Sequence, residues 1–198
     1  MPRTEEENQR IRDAQRANIL KAARKVFALR GWSATMAEIA DAAEVSQGLA
    51  YRYFSGKEAI FREIVERAMQ AGMENMQRIR EMPGTPGERL AHLVSWTFDN
   101  RKERIDFFEF TLRGFSDESL PADLRELLRK PIHNFQEMLH NLIVEGQASG
   151  EVFQGDPDQL VIAIIACFNG LSRFPMRRSE YFQKHFPEAG IFLRMLKP

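Results

Sequence analysis

The segment AEVSQGLAYRYFSGKE, from Ala43 to Glu58, places hydrogen-bonding side chains among aromatic ones. On a helix with 100° per residue, Gln47, Tyr51 and Arg52 fall within one arc of about 140°. A Gln amide can pair bidentately with adenine and an Arg guanidinium with guanine, while a Tyr hydroxyl can reach a phosphate. These residue types on one helix face could therefore contact base edges and backbone in the major groove of DNA.

The rest of the segment divides between the inward face, the flanks and neighbouring turns. Ala50 and Phe54 are predicted to face the interior. Gly48 would let the helix approach a groove closely because it has no side chain. A lysine beside the free amides of a helix start can hold a phosphate, which makes Lys57 a candidate. The candidate DNA-contacting residues are Thr35, Ser46, Gln47, Gly48, Leu49, Tyr51, Arg52, Tyr53 and Lys57.

Helix-forming residues dominate the 198-residue chain and strand-like alternation is scarce, which predicts an all-α fold. Three capping-box patterns are predicted to start helices, at Thr35 to Glu38, Ser55 to Glu58 and Thr85 to Glu88. Asp156 followed by Pro157 is a further start signal. About nine helices are expected, near 10–30, 35–43, 46–54, 58–82, 85–101, 103–115, 120–149 (with a bend at Pro131 left open), 157–172 and 187–197.

Two short helices joined by a tight turn form a helix-turn-helix pattern, here at about 35–54. We expect a DNA-binding domain over 1–57 and a larger helical domain over 58–198. Residues 1–57 hold ten Lys/Arg and seven Asp/Glu, a net of +3, and residues 58–198 hold 18 and 21, a net of −3. A basic end on an acidic body fits a local phosphate-contacting surface. An amphipathic helical hairpin that binds no DNA fits the periodicity alone equally well.

The stretch ILKAARKVFALRGW…TMAEIADAAEVSQGLAYRYFSGKEAIFREIV resembles the N-terminal domain of the TetR family of bacterial transcriptional repressors. The resemblance covers about 60 residues, and the rest of the chain is similar in length, helicity and the segment GQASGEVFQGDPDQL. It implies a sequence-specific transcriptional regulator, expected to be a repressor that a small-molecule effector releases from a palindromic operator. Whether the chain represses or activates is left open by its sequence.

Two positions depart from the family pattern. Glu44 occupies the turn position where the family usually has glycine, and a left-handed residue there would cost about 1–2 kcal/mol. The loop from Trp32 to Thr35 is one residue shorter than is usual. The departure at Glu44 concerns the angle between the two short helices, and both departures concern the exact positions of the phosphate contacts.

By the same resemblance, residues 58–198 should hold an effector pocket and a homodimer interface. An apolar helix over 157–172 is predicted to pair with a second copy, which would place two recognition helices about 34–36 Å apart. The candidate interface residues are Leu160, Ile164, Phe168, Leu171, Phe192 and Leu196. The candidate pocket residues are Met69, Met73, Trp96, Phe107, Phe108, Phe110 and Phe168.

Other classes of protein find little support in the sequence. Cys167 is the one cysteine, so no intrachain disulfide is possible, and the four histidines lack a metal-binding spacing; no metal or cofactor is expected. The sequence has no nucleophile elbow, phosphate loop or paired-carboxylate site, which argues against an enzyme. It has no signal peptide or membrane span, so a cytoplasmic protein is expected. A helical scaffold protein that binds other proteins is the remaining alternative.

Overall fold

The computed structural model describes residues 4–99, 101–173 and 179–198. These residues form ten α-helices, one 3-10 turn and no strand, which confirms the all-α prediction. The elements are α1 (Glu5–Arg30), the 3-10 turn (Gly31–Ser33), α2 (Met36–Ala42), α3 (Gln47–Tyr53), α4 (Lys57–Glu81), α5 (Pro86–Asp99), α6 (Arg101–Ser116), α7 (Ala122–Ala148), α8 (Pro157–Arg173), α9 (Glu180–Lys184) and α10 (Ala189–Met195).

Local capping signals start several of these helices. The Glu38 N–H donates to Thr35 Oγ1 at 3.2 Å and the Thr35 N–H donates to Glu38 Oε2 at 2.9 Å, so the capping box of α2 is confirmed. The same exchange links Thr85 and Glu88 before α5. The third predicted capping box, with reciprocal hydrogen bonds between Ser55 and Glu58, is not found among the hydrogen bonds of the described residues. There α4 starts after Gly56, whose carbonyl accepts from Ile60.

The structure differs from the predicted elements at two places. α1 begins at Glu5 because the Thr4 hydroxyl accepts from the Glu7 N–H and the glutamates of the first turn complement the helix dipole. α9 was not predicted, since its five residues are too few to show an apolar stripe. α7 continues through Pro131 as one helix.

The chain divides into two compact units, Met1–Gln70 with Asp106–Pro131, and Ala71–Ile105 with Ile132–Pro198. The core of the first unit is centred on Phe27, Phe61 and Phe110, whose rings lie 4.7–6.0 Å apart. This division follows compactness, whereas the boundary after residue 57 concerns function and stays a prediction.

The second unit has a core of its own. Its most deeply buried side chains include Ile79 of α4, Leu90 of α5, and Leu139 and Ile143 of α7. α10 packs against α5, and the Phe153 N–H donates to the Leu196 carbonyl at 2.8 Å. Across the described residues, no helix is both long and apolar enough to cross a membrane.

The turn between α2 and α3 is built around a left-handed glutamate. Glu44 has φ 56° and is the only residue other than glycine with positive φ in the described chain. The Val45 N–H donates to the Ala40 carbonyl and the Glu44 N–H to the Asp41 carbonyl, each at 3.0 Å. This pair of bonds is a Schellman motif, in which glycine normally occupies the left-handed position. The strain expected at Glu44 is therefore present.

Replacing Glu44 with glycine is expected to stabilise the protein by about 0.5–1 kcal/mol. Relief of the left-handed conformation contributes about 1–2 kcal/mol, and the greater freedom of glycine in the unfolded chain removes part of it. Urea unfolding of the wild type, Glu44→Gly and Glu44→Ala measures the difference. Alanine removes the charge and keeps the strain, so a gain of equal size in Glu44→Ala would contradict the backbone explanation.

Candidate DNA-binding surface

α3 presents polar side chains to solvent and apolar ones to the core. Tyr51 is 49% exposed, and Gln47 and Arg52 are exposed beside it. On the opposite side, Ala50 is 0% and Phe54 3% exposed. The predicted division into an outward and an inward face is therefore confirmed, while the DNA contacts themselves are not tested by it.

The remaining residues of α3 complete this surface. Gly48 is exposed, and a Cβ placed on it would have no neighbour within 4 Å. The Ser46 hydroxyl accepts from the Leu49 N–H at 3.1 Å and so caps the helix. Leu49 and Tyr53 are half-buried, and Tyr53 packs against the core of the first unit. Ser46 at the helix start and Leu49 and Tyr53 on the flanks thus border the exposed face.

Two polar side chains of α1 hold the ends of both short helices. Asn18 donates from Nδ2 to the Ala43 carbonyl at the end of α2, at 2.7 Å. Arg16 donates from Nη1 to the Tyr53 carbonyl at the end of α3, at 3.1 Å. The last carbonyls of a helix lack partners within the helix, so these bonds satisfy acceptors that are otherwise unpaired. Sequence reasoning missed both residues.

Arg16 is held in place by an ion pair with α4. Its Nε donates to Glu63 Oε1 at 2.9 Å, its Nη2 pairs with Glu63 Oε2, and its guanidinium carbon lies 4.5 Å from the centre of the Phe54 ring. Arg67 also binds Glu63, at 2.8 Å. The hydrogen bond from Arg16 is the main cause that lowers the pKa of Glu63, and it raises the pKa of Arg16. A signal was available, because Arg16 lies three residues before Ile19 on the apolar stripe of α1.

Lys57 and Thr35, the two candidate phosphate contacts outside α3, already have partners within the protein. The Lys57 Nζ donates to the Trp32 carbonyl at 2.6 Å and lies 4.4 Å from the centre of the Trp32 ring. The Thr35 hydroxyl is used in the cap of α2. An ammonium has three donors, so Lys57 keeps capacity for a phosphate oxygen. The one O–H of Thr35 donates to Glu38 Oε2 at 3.1 Å and would have to turn away from it to donate to a phosphate. Their contacts with DNA stay predictions.

The turn before α2 is tied to the segment between α6 and α7. The Trp32 N–H donates to Asp117 Oδ2 at 2.6 Å, within the first unit. Hydrogen bonds from the Ser119 side chain and from the Trp32 backbone lower the pKa of Asp117. Trp32 is therefore held by α4 through its carbonyl and by Asp117 through its amide. The partners lie 85 residues apart in sequence, and no local signal predicts this contact.

The candidate pocket residues belong to two separate clusters. Phe110 is 1% exposed in the core of the first unit, and Phe107 and Met69 pack against that core. Three others belong to the second unit: Met73 is 54% exposed, Trp96 is half-buried and Phe168 packs against the second core. The side chain of Phe108 lies outside the described residues. The role of these residues in an effector pocket stays a prediction.

The candidate interface residues pack mainly within their own unit. Leu160, Ile164, Phe168, Leu171 and Phe192 are half-buried against the second core, and Leu196 is 8% exposed within it. Nearby apolar side chains are left open to solvent, at 67% for Ile162, 54% for Ile191 and 70% for Met195. A partner would therefore meet these three residues together with the half-buried ones. Their role in a dimer interface stays a prediction.

Together, α1, α2 and the exposed α3 form a helix-turn-helix unit. Residues 19–64 match the model of the bacterial regulatory proteins of the tetR family. The N-terminal part of the chain is therefore similar to the DNA-binding domain of that family, and the curated relatives that match most of the chain are transcriptional regulators.

Relatives agree over most of the chain. It is 26% identical over 179 residues to YfiR, an HTH-type transcriptional regulator of Bacillus subtilis, covering 87% of this chain and 83% of that one. It is 28% identical over 145 residues to the HTH-type transcriptional repressor NicS of Pseudomonas putida, covering 73% and 68%. Among solved structures, the regulator FadR of Bacillus subtilis in complex with stearoyl-CoA has the same fold, with TM-score 0.62, 22% identity and coverage of 90% and 94%.

Proposed function

We propose that the protein is a homodimeric repressor that reads a palindromic operator through α3 and leaves it when a small-molecule effector binds residues of the larger helical part. The observation that carries the DNA-reading step is the exposed face of Gln47, Tyr51 and Arg52 opposite the buried Ala50 and Phe54. Amide, phenol and guanidinium groups on one exposed helix face suit base edges and phosphates. Such a regulator acts in the cytoplasm, on the chromosome.

Selection of bound fragments from random-sequence DNA tests this proposal directly. The wild type is expected to enrich one palindromic motif. Tyr51→Ala is then expected to weaken binding to that duplex by about 1–3 kcal/mol, because it removes a contact that forms only with DNA. Fluorescence anisotropy at fixed salt measures the affinity, and circular dichroism verifies that the helices are intact.

Tyr181→Ala is the matched control for Tyr51→Ala. Tyr181 is a tyrosine on α9 that is 70% exposed, more than Tyr51, and it lies outside the proposed surface. Its removal should leave the affinity for the duplex unchanged. Equal affinities of the two variants would remove Tyr51 from the interface, and a wild type that enriches no motif would refute DNA reading by α3.

The dimer is supported by the apolar side chains that remain open to solvent on α8 and α10. Ile162 is 67% exposed, and α8 also exposes Ala163 and Ala166. A single exposed apolar residue is common on protein surfaces, whereas several along one helix form an apolar patch. We expect the mass of a dimer in light scattering at micromolar concentration. Ile162→Glu should shift the mass toward the monomer, whereas Glu180→Gln on α9 should not. A wild-type monomer under these conditions would contradict the proposal.

A reporter gene placed downstream of the selected motif shows whether the protein represses or activates transcription. A repressor lowers expression of the reporter, and Tyr51→Ala restores it. An activator gives the opposite change. The effector can release DNA only to the extent that it binds the two conformations with different affinity, so an effector must lower the affinity for the duplex in the same anisotropy assay.

A further inference from the structure

The orientation of α3 depends on few contacts. The helix has seven residues, which is too short to be stable without tertiary packing. Its buried apolar contribution is one alanine, Ala50, followed by Phe54 just after its end. Leu49 and Tyr53 are half-buried, so the helix is held by one small buried side chain, one aromatic ring and two partial contacts, and it can pivot about them. A further attachment at the end of the helix is needed to fix its angle.

Arg16 supplies an attachment at the end of the helix. One edge of its guanidinium pairs with Glu63 of α4, and the remaining Nη1 donates to the Tyr53 carbonyl at 3.1 Å. The same group lies over the Phe54 ring at 4.5 Å. The Glu63 side chain is only 18% exposed and Arg67 binds it from the next turn, so the acceptor of Arg16 is itself held. The planar fork of arginine makes these contacts together, and a lysine ammonium has no equivalent geometry.

We propose that Arg16 is a positioning residue for DNA recognition, which sets the orientation of α3 by holding its last carbonyl to α1 and α4. This inference rests on the proposed reading of DNA by α3. Arg16 itself does not belong to the face formed by Gln47, Tyr51 and Arg52, and it acts through the backbone of Tyr53.

The proposal makes a distinction between two kinds of affinity. Base contacts require side chains held to within roughly 0.5 Å of their working positions, so a pivot of α3 weakens them. Non-specific binding depends on the number of charges near phosphates and tolerates such a shift. Loss of a positioning residue should therefore lower operator affinity and leave affinity for unrelated DNA nearly unchanged. Loss of a direct phosphate contact would lower both.

The experiment uses the full chain, the duplex selected by the wild type and a scrambled duplex of the same length and composition. Arg16→Met keeps the apolar stem and removes the fork. It is expected to lower affinity for the selected duplex by about tenfold, the equivalent of one lost hydrogen bond, and for the scrambled duplex by less than about twofold. Arg16→Lys keeps the charge without the fork, and an intermediate loss of about threefold is expected.

Ile19→Val is the control for a general loss of stability. Ile19 is fully buried on α1, and its truncation loosens the same core while leaving the hydrogen bond from Arg16 to the Tyr53 carbonyl in place. Operator affinity should stay at the wild-type value in this variant when thermal unfolding confirms a comparable loss of stability. If Arg16→Met does not fold, Arg16→Lys and Ile19→Val still give the comparison.

Each outcome has one meaning. If Arg16→Met loses affinity equally for both duplexes, and the slope of log affinity against log salt falls by about one, Arg16 is a phosphate contact. That result would overturn the positioning role of Arg16 and leave the proposed function standing. An equal loss of operator affinity in Ile19→Val would overturn it as a stability effect. Failure of the wild type to select any motif would overturn the proposed function, and the inference with it.

Discussion

Replacing Phe110 with alanine is expected to destabilise the first unit by about 3–5 kcal/mol, the usual cost of removing a buried aromatic ring. The side chain is 1% exposed, and its ring centre lies 4.7 Å from that of Phe61 and 6.0 Å from that of Phe27. The loss combines the transfer of the ring to water with the cavity left between α1, α4 and α6. Urea unfolding followed by tryptophan fluorescence measures it.

The two tryptophans allow each unit to be followed separately. Trp32 lies in the first unit and Trp96 in the second, so a Trp96→Phe background leaves a reporter for the first unit alone. Phe107→Ala is the matched control, because Phe107 lies 5.9 Å from Phe110 but is only half-buried, and a smaller loss is expected. Equal losses at the two positions, or a loss at Phe110 below about 1 kcal/mol, would contradict a core role.

The sequence predicts the helices well because their start signals are local. The exchange between Thr35 and Glu38 joins residues three apart, and the left-handed turn at Glu44 depends on backbone bonds within five residues. Helical period also separates the exposed Arg52 from the buried Ala50, which lie about 160° apart around α3. Each of these features depends on residues close together in the sequence, so the local sequence is sufficient to predict it.

Contacts between distant segments are not predicted in the same way. Arg16 meets Glu63 across 47 positions, and Trp32 meets Asp117 across 85. A charged residue on an apolar stripe indicates that some partner exists, but not which one. Phe110 illustrates the same limit, because four phenylalanines in one helix indicate burial without distinguishing a core from a binding pocket. The separation of these two roles requires the packing of α1 and α4 around the ring.

Replacing Gly31 with alanine is expected to destabilise the first unit by about 2–4 kcal/mol. Gly31 has φ 63° and ψ −147°, a backbone region that is almost exclusive to glycine and costs other residues about 1–3 kcal/mol. A Cβ at this position would also lie 2.2 Å from Asp117 Oδ2. The carboxylate would have to move away, and the hydrogen bond from the Trp32 N–H would be lost with it. Fluorescence of Trp32 in the Trp96→Phe background reports the change.

A double-mutant cycle with Asp117→Ala separates the two causes of this loss. In the Asp117→Ala background the collision is absent, so Gly31→Ala should cost only the backbone part, about 1–3 kcal/mol. Gly48→Ala is the control for adding a methyl group to a glycine, because nothing lies within 4 Å of that position and the helix should gain about 0.5–1 kcal/mol. A cost of Gly31→Ala that is unchanged by Asp117→Ala would assign the whole effect to backbone strain. A Gly31→Ala variant within about 0.5 kcal/mol of the wild type would mean that the turn before α2 adopts another conformation, and Trp32 would then no longer be held between Lys57 and Asp117.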